Sequence, residues 1–312
     1  MIKKILLILL LCVSLCFPAT IEITSWAEVQ AVNSNRAGDY KLMNDLDKES
    51  VGYATYNSGD GFTPLGSGGA PLGFRGSFDG NGKTIADLRC QRGVQGYGGF
   101  FGYINNSGKS IINLNLKAVD IYNATNNDYV GAFAGYIENA TVSGITTSGE
   151  VSKPIIEETK SVGGFSGGIK NSTVSDCASH CDVSGYQFVS GFSGAETSTL
   201  SRCISTGAVN GTQGLYGFGA KGGGTWTDVF WDTQTSGVSA GAGQGGTGKT
   251  TAEMKDIDTY ANFDIALIGS HTTETWFIDD GNDYPRLWYE KTSTGTPRAR
   301  VMMGEDELMC LY

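Results

Sequence analysis

Three groups of residues have the types that nucleotide binding, metal binding or hydrolysis would require. Gly243-Gln244-Gly245-Gly246-Thr247-Gly248-Lys249-Thr250 satisfies G-x-x-x-x-G-K-[ST] letter for letter. Such a loop holds phosphate only between a buried strand and a sizeable helix, where backbone N–H groups and the helix dipole converge. Thr235 to Ala242 before it read as a loop, and Thr251 to Lys255 after it allow only a short helix, so no nucleotide is expected here. The second group is Cys177-Ala178-Ser179-His180-Cys181, a run of metal-ligand types. The chain's two histidines, His180 and His271, lie in separate segments, and neither belongs to an H-E-x-x-H string. The third group is acidic: Asp45/Asp47, Asp256/Asp258 and Asp279/Asp280/Asp283. Two carboxylates brought together across a fold can hydrolyse a glycosidic bond. The run Asp279-Asp280-Gly281-Asn282-Asp283 also has oxygen donors suited to calcium. Each acidic group sits near a turn, where a solvated carboxylate is the simpler reading. We expect no catalytic residue, no metal and no cofactor from these groups.

The elements that would position them announce themselves through phenylalanine. Phe100, Phe133, Phe165, Phe192 and Phe218 recur in the strings GGFFG, GAFAG, GGFSG, SGFSG and YGFGA, at spacings of 33, 32, 27 and 26 residues. A large apolar side chain fenced by glycines at a period near 30 marks a repeat architecture. Short apolar runs follow each knot, including Thr141-Val142-Ser143-Gly144-Ile145, Thr173-Val174-Ser175-Asp176-Cys177 and Thr199-Leu200-Ser201-Arg202-Cys203. Counted from its phenylalanine, Ile145 and Cys177 fall at +12, while Cys203 and Val229 fall at +11. Constant offsets with no room for long helices predict stacked coils, with equivalent side chains in columns at the inter-strand spacing of about 4.8 Å. Phe100, Phe133, Phe165, Phe192, Phe218, Ile145, Cys177, Cys203 and Val229 are the predicted repeat core. Cys177 and Cys203 then act as small buried hydrophobes, with a cross-link between neighbouring coils left open. Tyr97, Tyr103, Tyr129, Tyr136, Tyr186 and Tyr216 flank the knots, either as ordinary strand residues or as a strip for stacking on sugars.

Before the repeats, Ser25 and Glu28 make a capping-box pattern for a short helix, and Tyr40 to Leu46 alternates as a strand. Asp79-Gly80 and Asn81-Gly82 separate two apolar runs and predict a turn with positive φ. After the repeats, Met254, Tyr260, Phe263, Trp276 and Leu287 supply apolar surface that the coils lack.

Composition narrows the function classes. The chain has 312 residues, 46 of them glycine, with 40% hydrophobic residues, too many for a disordered protein. Lys3 and Lys4 precede the apolar run Ile5 to Val13, and Ala19 suits a cleavage point, so residues 1–19 read as a signal peptide. Its loss takes the net charge from −10 to −12. An acidic chain without basic clusters argues against nucleic acid and anionic membranes. Cys90, Cys177, Cys181, Cys203 and Cys310 would remain, an odd number that excludes complete intramolecular pairing.

The knots Val130-Gly131-Ala132-Phe133-Ala134-Gly135 and Val162-Gly163-Gly164-Phe165-Ser166-Gly167 resemble the GLUG repeat of secreted bacterial proteins. Phe74-Arg75-Gly76-Ser77-Phe78-Asp79-Gly80-Asn81-Gly82 is similar to that family's entry segment. Val229-Phe230-Trp231-Asp232-Thr233-Gln234-Thr235-Ser236-Gly237, Thr250-Thr251-Ala252-Glu253-Met254-Lys255, Trp276 and Tyr284-Pro285-Arg286-Leu287 are similar to its exit. Several knots carry Phe where the family has Leu. The resemblance spans Tyr40 to Leu287 and implies a right-handed parallel β-solenoid, often adhesin-like, on cell surfaces or secreted. Some immunoglobulin-cleaving metallopeptidases carry such repeats, but this chain lacks the zinc-binding string.

These readings converge on an all-β protein, a right-handed parallel β-helix or solenoid with short N-terminal and C-terminal capping segments. The expected divisions are a signal peptide at 1–19, a cap with first coils at 20–96, and repeats at 97–237. A C-terminal cap at 238–290 and a flexible tail at 291–312 complete the chain. The expected function is an exported binding or adhesion module without catalytic activity. Its partner would be an extracellular glycan or a surface protein, with no nucleotide, nucleic acid or membrane-spanning helix in the mature chain. The alternatives are a carbohydrate-active β-helix lyase or hydrolase, and a structural spacer.

Overall fold

The computed structural model describes residues 19–68, 72–91, 96–122, 129–153, 161–220, 222–239, 244–270 and 272–290. Residues 1–18 of the expected signal peptide, the expected tail at 291–312, His271 and Cys310 lie outside the described residues.

The chain is a parallel β-helix. One wall is a long parallel sheet in which Ile21–Ile23, Asp39–Leu42, Ser77–Ala86, Ser110–Tyr122, Thr141–Ser152 and Thr173–Ser190 lie side by side. Ser198–Ser205, Gly224–Asp232 and Thr247–Lys249 continue it. A second wall stacks Phe101–Asn105, Ala134–Glu138, Ser166–Lys170 and Gly194–Glu196, again in parallel. Hydrogen bonding runs unbroken across position 96, because Ser77–Ala86 pairs directly with Ser110–Tyr122.

The core consists of columns. Leu114, Ile145, Cys177, Cys203 and Val229 are register partners on successive rungs, and all are buried. Phe165 and Phe192 stack at 4.4 Å with 6° between planes, Phe192 and Phe218 at 4.7 Å with 9°, and Phe133 and Phe165 at 4.9 Å. These separations match the rung spacing, so each ring meets its neighbour face to face. The first of the five knots departs from the simple column. Phe101, not Phe100, meets the Phe133 ring, at 5.4 Å edge-on, while Phe100 stacks back on Phe62 at 5.7 Å.

The knot glycines make room for this stack. A Cβ on Gly131 would overlap Ser166 and the Phe165 carbonyl, and one on Gly163 would overlap the Ser166 and Phe192 carbonyls. The close approach of neighbouring coils therefore excludes any side chain at these positions.

Corners recur as well. Asn113, Gly144, Asp176, Arg202 and Asp228 each adopt φ between 50° and 65°, one residue before the inward column. A left-handed residue at that point lets the strand bend while its pairing resumes on the next residue. Asn81 and Gly82 have positive φ too, but they form an irregularity inside Ser77–Ala86 rather than the turn between two strands read from the sequence. Asp79 and Gly80 lack positive φ.

The two ends differ in how they are covered. At the front, the helix Trp26–Ala31 packs Trp26 against Tyr53 and Phe62, and the Trp26 indole donates to the Asp47 carbonyl. Ser25 Oγ accepts from Glu28 N–H, whereas the Glu28 carboxylate accepts from Thr24 N–H, one residue upstream of a true capping box. The expected strand over Tyr40–Leu46 is shorter, at Asp39–Leu42.

Part of the expected C-terminal cap does cover the end, where Thr247–Lys249 pairs along Gly224–Asp232, but the apolar residues after it lie elsewhere. Met254, Tyr260, Phe263, Trp276, Ile278 and Leu287 cluster with Ala178, Ile204 and Phe230. Those three are register partners on the outward face of the long wall, so the segment lies along the flank of the solenoid. Ile204 and Phe230 are large apolar residues pointing outward, and burying them against the segment is the driving force for this placement.

Candidate functional site

Where the C-terminal segment meets the long wall, it leaves a cleft of about 500 Å³. The floor comes from equivalent positions on successive rungs: Asp45 and Asp47, then Thr84 and Ala86, Asn115 and Lys117, Thr146 and Ser148, His180, and Thr206. The opposite side is Asp283, Tyr284, Pro285, Arg286 and Glu290.

Local structure aims each floor residue outward. In a strand, alternate side chains face opposite ways. Cys177, Ser179 and Cys181 alternate with Ala178 and His180, so Cys177 and Cys181 join the solenoid core while His180 enters the cleft. The apparent metal-ligand run is thereby split between two faces. Among the described residues, Cys177, Cys181 and Cys203 are buried free thiols and Cys90 is buried as well, and burial pushes the Cys181 thiol up to about 12.

Charges in the cleft are largely engaged. Arg286 donates to Asp283 through Nη2 at 2.6 Å and Nε at 3.1 Å. Asp283 also accepts from the Tyr284 backbone N–H at 2.8 Å. Glu290 Oε2 accepts from Leu287 N–H at 2.7 Å and from the Thr146 hydroxyl at 3.1 Å, and burial raises its carboxyl above the usual range. His180 Nδ1 and Thr206 Oγ1 lie 2.6 Å apart. Burial, reinforced by Arg286 and opposed by Asp283, lowers the His180 imidazole to about 4, so it is neutral at physiological pH. Asp45 accepts from Thr84 N–H, and Asp47 from Glu49 N–H and the Ser50 hydroxyl.

The segment is pinned at several points. Trp276 Nε1 donates to Asp176, which also forms a two-point pair with Arg202. The Tyr284 hydroxyl donates to Asp232 at 2.7 Å, and Asp232, fully buried, also caps the helix Thr233–Ser236.

The structure brings together Asp45, Asp47 and Asp283, which looked unrelated in sequence, and leaves Asp256 and Asp258 elsewhere. Asp256 caps a short 3-10 turn, and Asp280 accepts from Ile257 N–H. Among the described residues, no group of three or more His, Cys, Asp or Glu could hold a metal ion. In the phosphate-loop string, Thr247–Lys249 is a strand paired with Phe230–Asp232, and Thr250 caps a four-residue helix in a capping box with Glu253. Lys249 pairs with Glu253 at 3.7 Å. Tyr97, Tyr103, Tyr129 and Tyr136 form a ring-to-ring cluster on another face.

Sequence reasoning missed Thr84, Asn115, Lys117, Thr146, Ser148, Thr206, Arg286 and Glu290. A signal existed for three floor positions. Ser148, His180 and Thr206 each lie three residues after the core column members Ile145, Cys177 and Cys203. The residues one after Ile145, Cys177, Cys203 and Val229 run Thr146, Ala178, Ile204 and Phe230, and the switch from polar to apolar marks where the apolar part of the covering segment packs.

No family model matches the chain. Over 137 residues, 42% of the chain, it is 33% identical to Halomucin of Haloquadratum walsbyi (strain DSM 16790 / HBSQ001), and the match spans 1% of that protein's length. A crystal structure of a "putative immunoglobulin A1 protease" from Bacteroides ovatus aligns with 67% of this chain and 63% of its own, at 18% identity and a TM-score of 0.46. Among the described residues, no helix is long and apolar enough to cross a membrane.

Proposed function

We propose that the chain is a cell-surface or secreted binding module of the GLUG-repeat type, which holds an extracellular glycan or surface protein in its flank cleft. The carrying observation is the cleft itself, a polar trough on a rigid ladder whose carboxylates are already engaged by protein donors. Rigid scaffolds with a fixed array of polar groups favour recognition, because few side-chain rotamers need ordering on binding. The similarity to a protein named Halomucin supports a surface or secreted setting. The test is a combined glycan and surface-protein array probed with the mature chain. Saturable binding that a bulky Ser148→Trp substitution removes would support the reading; no binding to any array member would refute it.

A second reading, a carbohydrate-active hydrolase, is favoured by one observation. Glu290 has a raised carboxyl in the same cleft as Asp45, Asp47 and Asp283, as an acid–base pair would require. Against it, Glu290 already accepts two hydrogen bonds from the protein. Release of reducing ends from polysaccharides, lost in Glu290→Gln, would decide for that alternative.

A further inference from the structure

The cleft has a direction, a length and a charge pattern that narrow its ligand. Its floor residues occupy six successive rungs, from the Asp45/Asp47 level to Thr206. Five steps of about 4.8 Å make a trough about 24 Å long. A volume near 500 Å³ spread over that length is narrow, suited to one extended chain lying along the solenoid axis rather than to a compact molecule.

The floor is the face of a sheet, not an edge. Thr84, Asn115 and Thr146 are register partners whose backbone groups belong to the rung ladder. An extended peptide docks by adding a strand to a free edge, which this floor does not present. Recognition must instead come from side chains. Thr84, Asn115, Ser148, His180 and Thr206 line the trough as uncharged hydrogen-bonding groups, whereas the Thr146 hydroxyl is buried against Glu290. His180 Nδ1 is engaged with the Thr206 hydroxyl, which leaves Nε2 to meet a ligand. Thr84, Asn115, Ser148, His180 and Thr206 stand one to a rung on five successive rungs, as a polymer with hydroxyls on every unit requires.

Charge selects further. An anionic polymer would call for unpaired basic groups along the trough. Arg286 is committed to Asp283, leaving Lys117 as a basic floor residue without an ion pair among the described residues. Asp45 and Asp47 at one end would repel an anion.

From this geometry we infer that the cleft binds an uncharged, hydroxyl-rich polysaccharide threaded along the solenoid axis across successive rungs. The inference rests on the reading of the cleft as a binding site and specifies its ligand.

The test uses the mature full chain in calorimetric titrations against soluble neutral polysaccharides (a β-glucan, a mannan and a xylan) and acidic ones (polygalacturonate and alginate). A length series of oligosaccharides from the best neutral polymer follows. The expected result is binding to a neutral polymer, with affinity rising along the length series until the trough is filled. Asn115→Ala should weaken it about tenfold, the loss of one or two hydrogen bonds. Ser148→Trp should abolish it with the melting temperature unchanged. Binding of acidic polymers or of a surface protein, blocked by Ser148→Trp, would overturn the neutral-chain inference while leaving the binding-module reading intact. Neutral binding unaffected by either substitution would place the ligand elsewhere and overturn the inference. No binding to any glycan or surface protein would overturn both.

Discussion

The hydroxyl of Tyr289 lies 2.7 Å from the carbonyl oxygen of Gly144, a residue 145 positions earlier in the chain. Gly144 has φ of 65° and sits at a corner omitted from the pairing register of its rung. The Leu114 carbonyl, one rung back, is 3.1 Å from the same hydroxyl. One tyrosine thus ties the covering segment to two coils beside the cleft. Tyr289→Phe should lower stability by about 1 kcal/mol, the net worth of a protected hydrogen bond. Urea titrations of the variant and parent check this. An unchanged midpoint would show that the contact does not hold the segment.

The phenylalanine stack should be the most sensitive part of the core. Phe165 is fully buried between Phe133 and Phe192. Phe165→Ala should cost about 3–5 kcal/mol, the range for an aromatic replaced by a cavity. A loss below about 1 kcal/mol in denaturant titration would contradict a ring enclosed on both sides.

His180 should make stability depend on pH in a defined window. Its imidazole, ordinarily near 6.5, is lowered to about 4 in the folded chain, mainly by burial. Between those values the unfolded chain binds more protons than the folded one. The contribution is therefore complete above 6.5 and is lost as pH falls toward 4. Glu290 acts oppositely: its carboxyl is raised, so its contribution is present below 4.5 and is lost as pH rises through the folded value. Melting temperatures of the parent and His180→Asn across pH 4 to 7 give the comparison. The parent should lose more stability than the variant on acidification, and parallel curves would show that His180 is solvated.

Ending the chain at Gly237 should produce aggregates. That truncation uncovers Ala178, Ile204 and Phe230, and it removes the rung Thr247–Lys249 that covers the edge of Gly224–Asp232. An outward apolar stripe beside an open strand edge invites association. Size-exclusion chromatography and a thermal melt read the outcome. A soluble monomer that melts cooperatively would mean the flank segment is dispensable.

Lys249→Ala should leave the chain unable to bind ATP, as we expect of the parent. The lysine pairs with Glu253, and the threonine hydroxyl that would meet a metal ion is the helix cap. Calorimetry with ATP and magnesium tests both proteins. Saturable binding by the parent, lost in the variant, would restore the phosphate-loop reading.

Repetition made the architecture legible. Gly-Phe knots near a 30-residue period, with Ile145, Cys177, Cys203 and Val229 at nearly constant offsets, determine stacked coils, because only equivalent positions on adjacent rungs can build one continuous core. Local chemistry also identified the helix beginning at Trp26 and the short helix after Thr250. The site was a different matter. Asp45, Asn115, His180 and Arg286 share a cleft because a segment of the chain returns along the flank to bury Ile204 and Phe230. That return is a long-range hydrophobic choice with no periodic signature of its own. The same apolar residues, Met254 to Leu287, could as well have covered the solenoid's end. Sequence determined that these side chains need a partner surface; only the tertiary structure decided which surface they found, and with it which polar groups became neighbours.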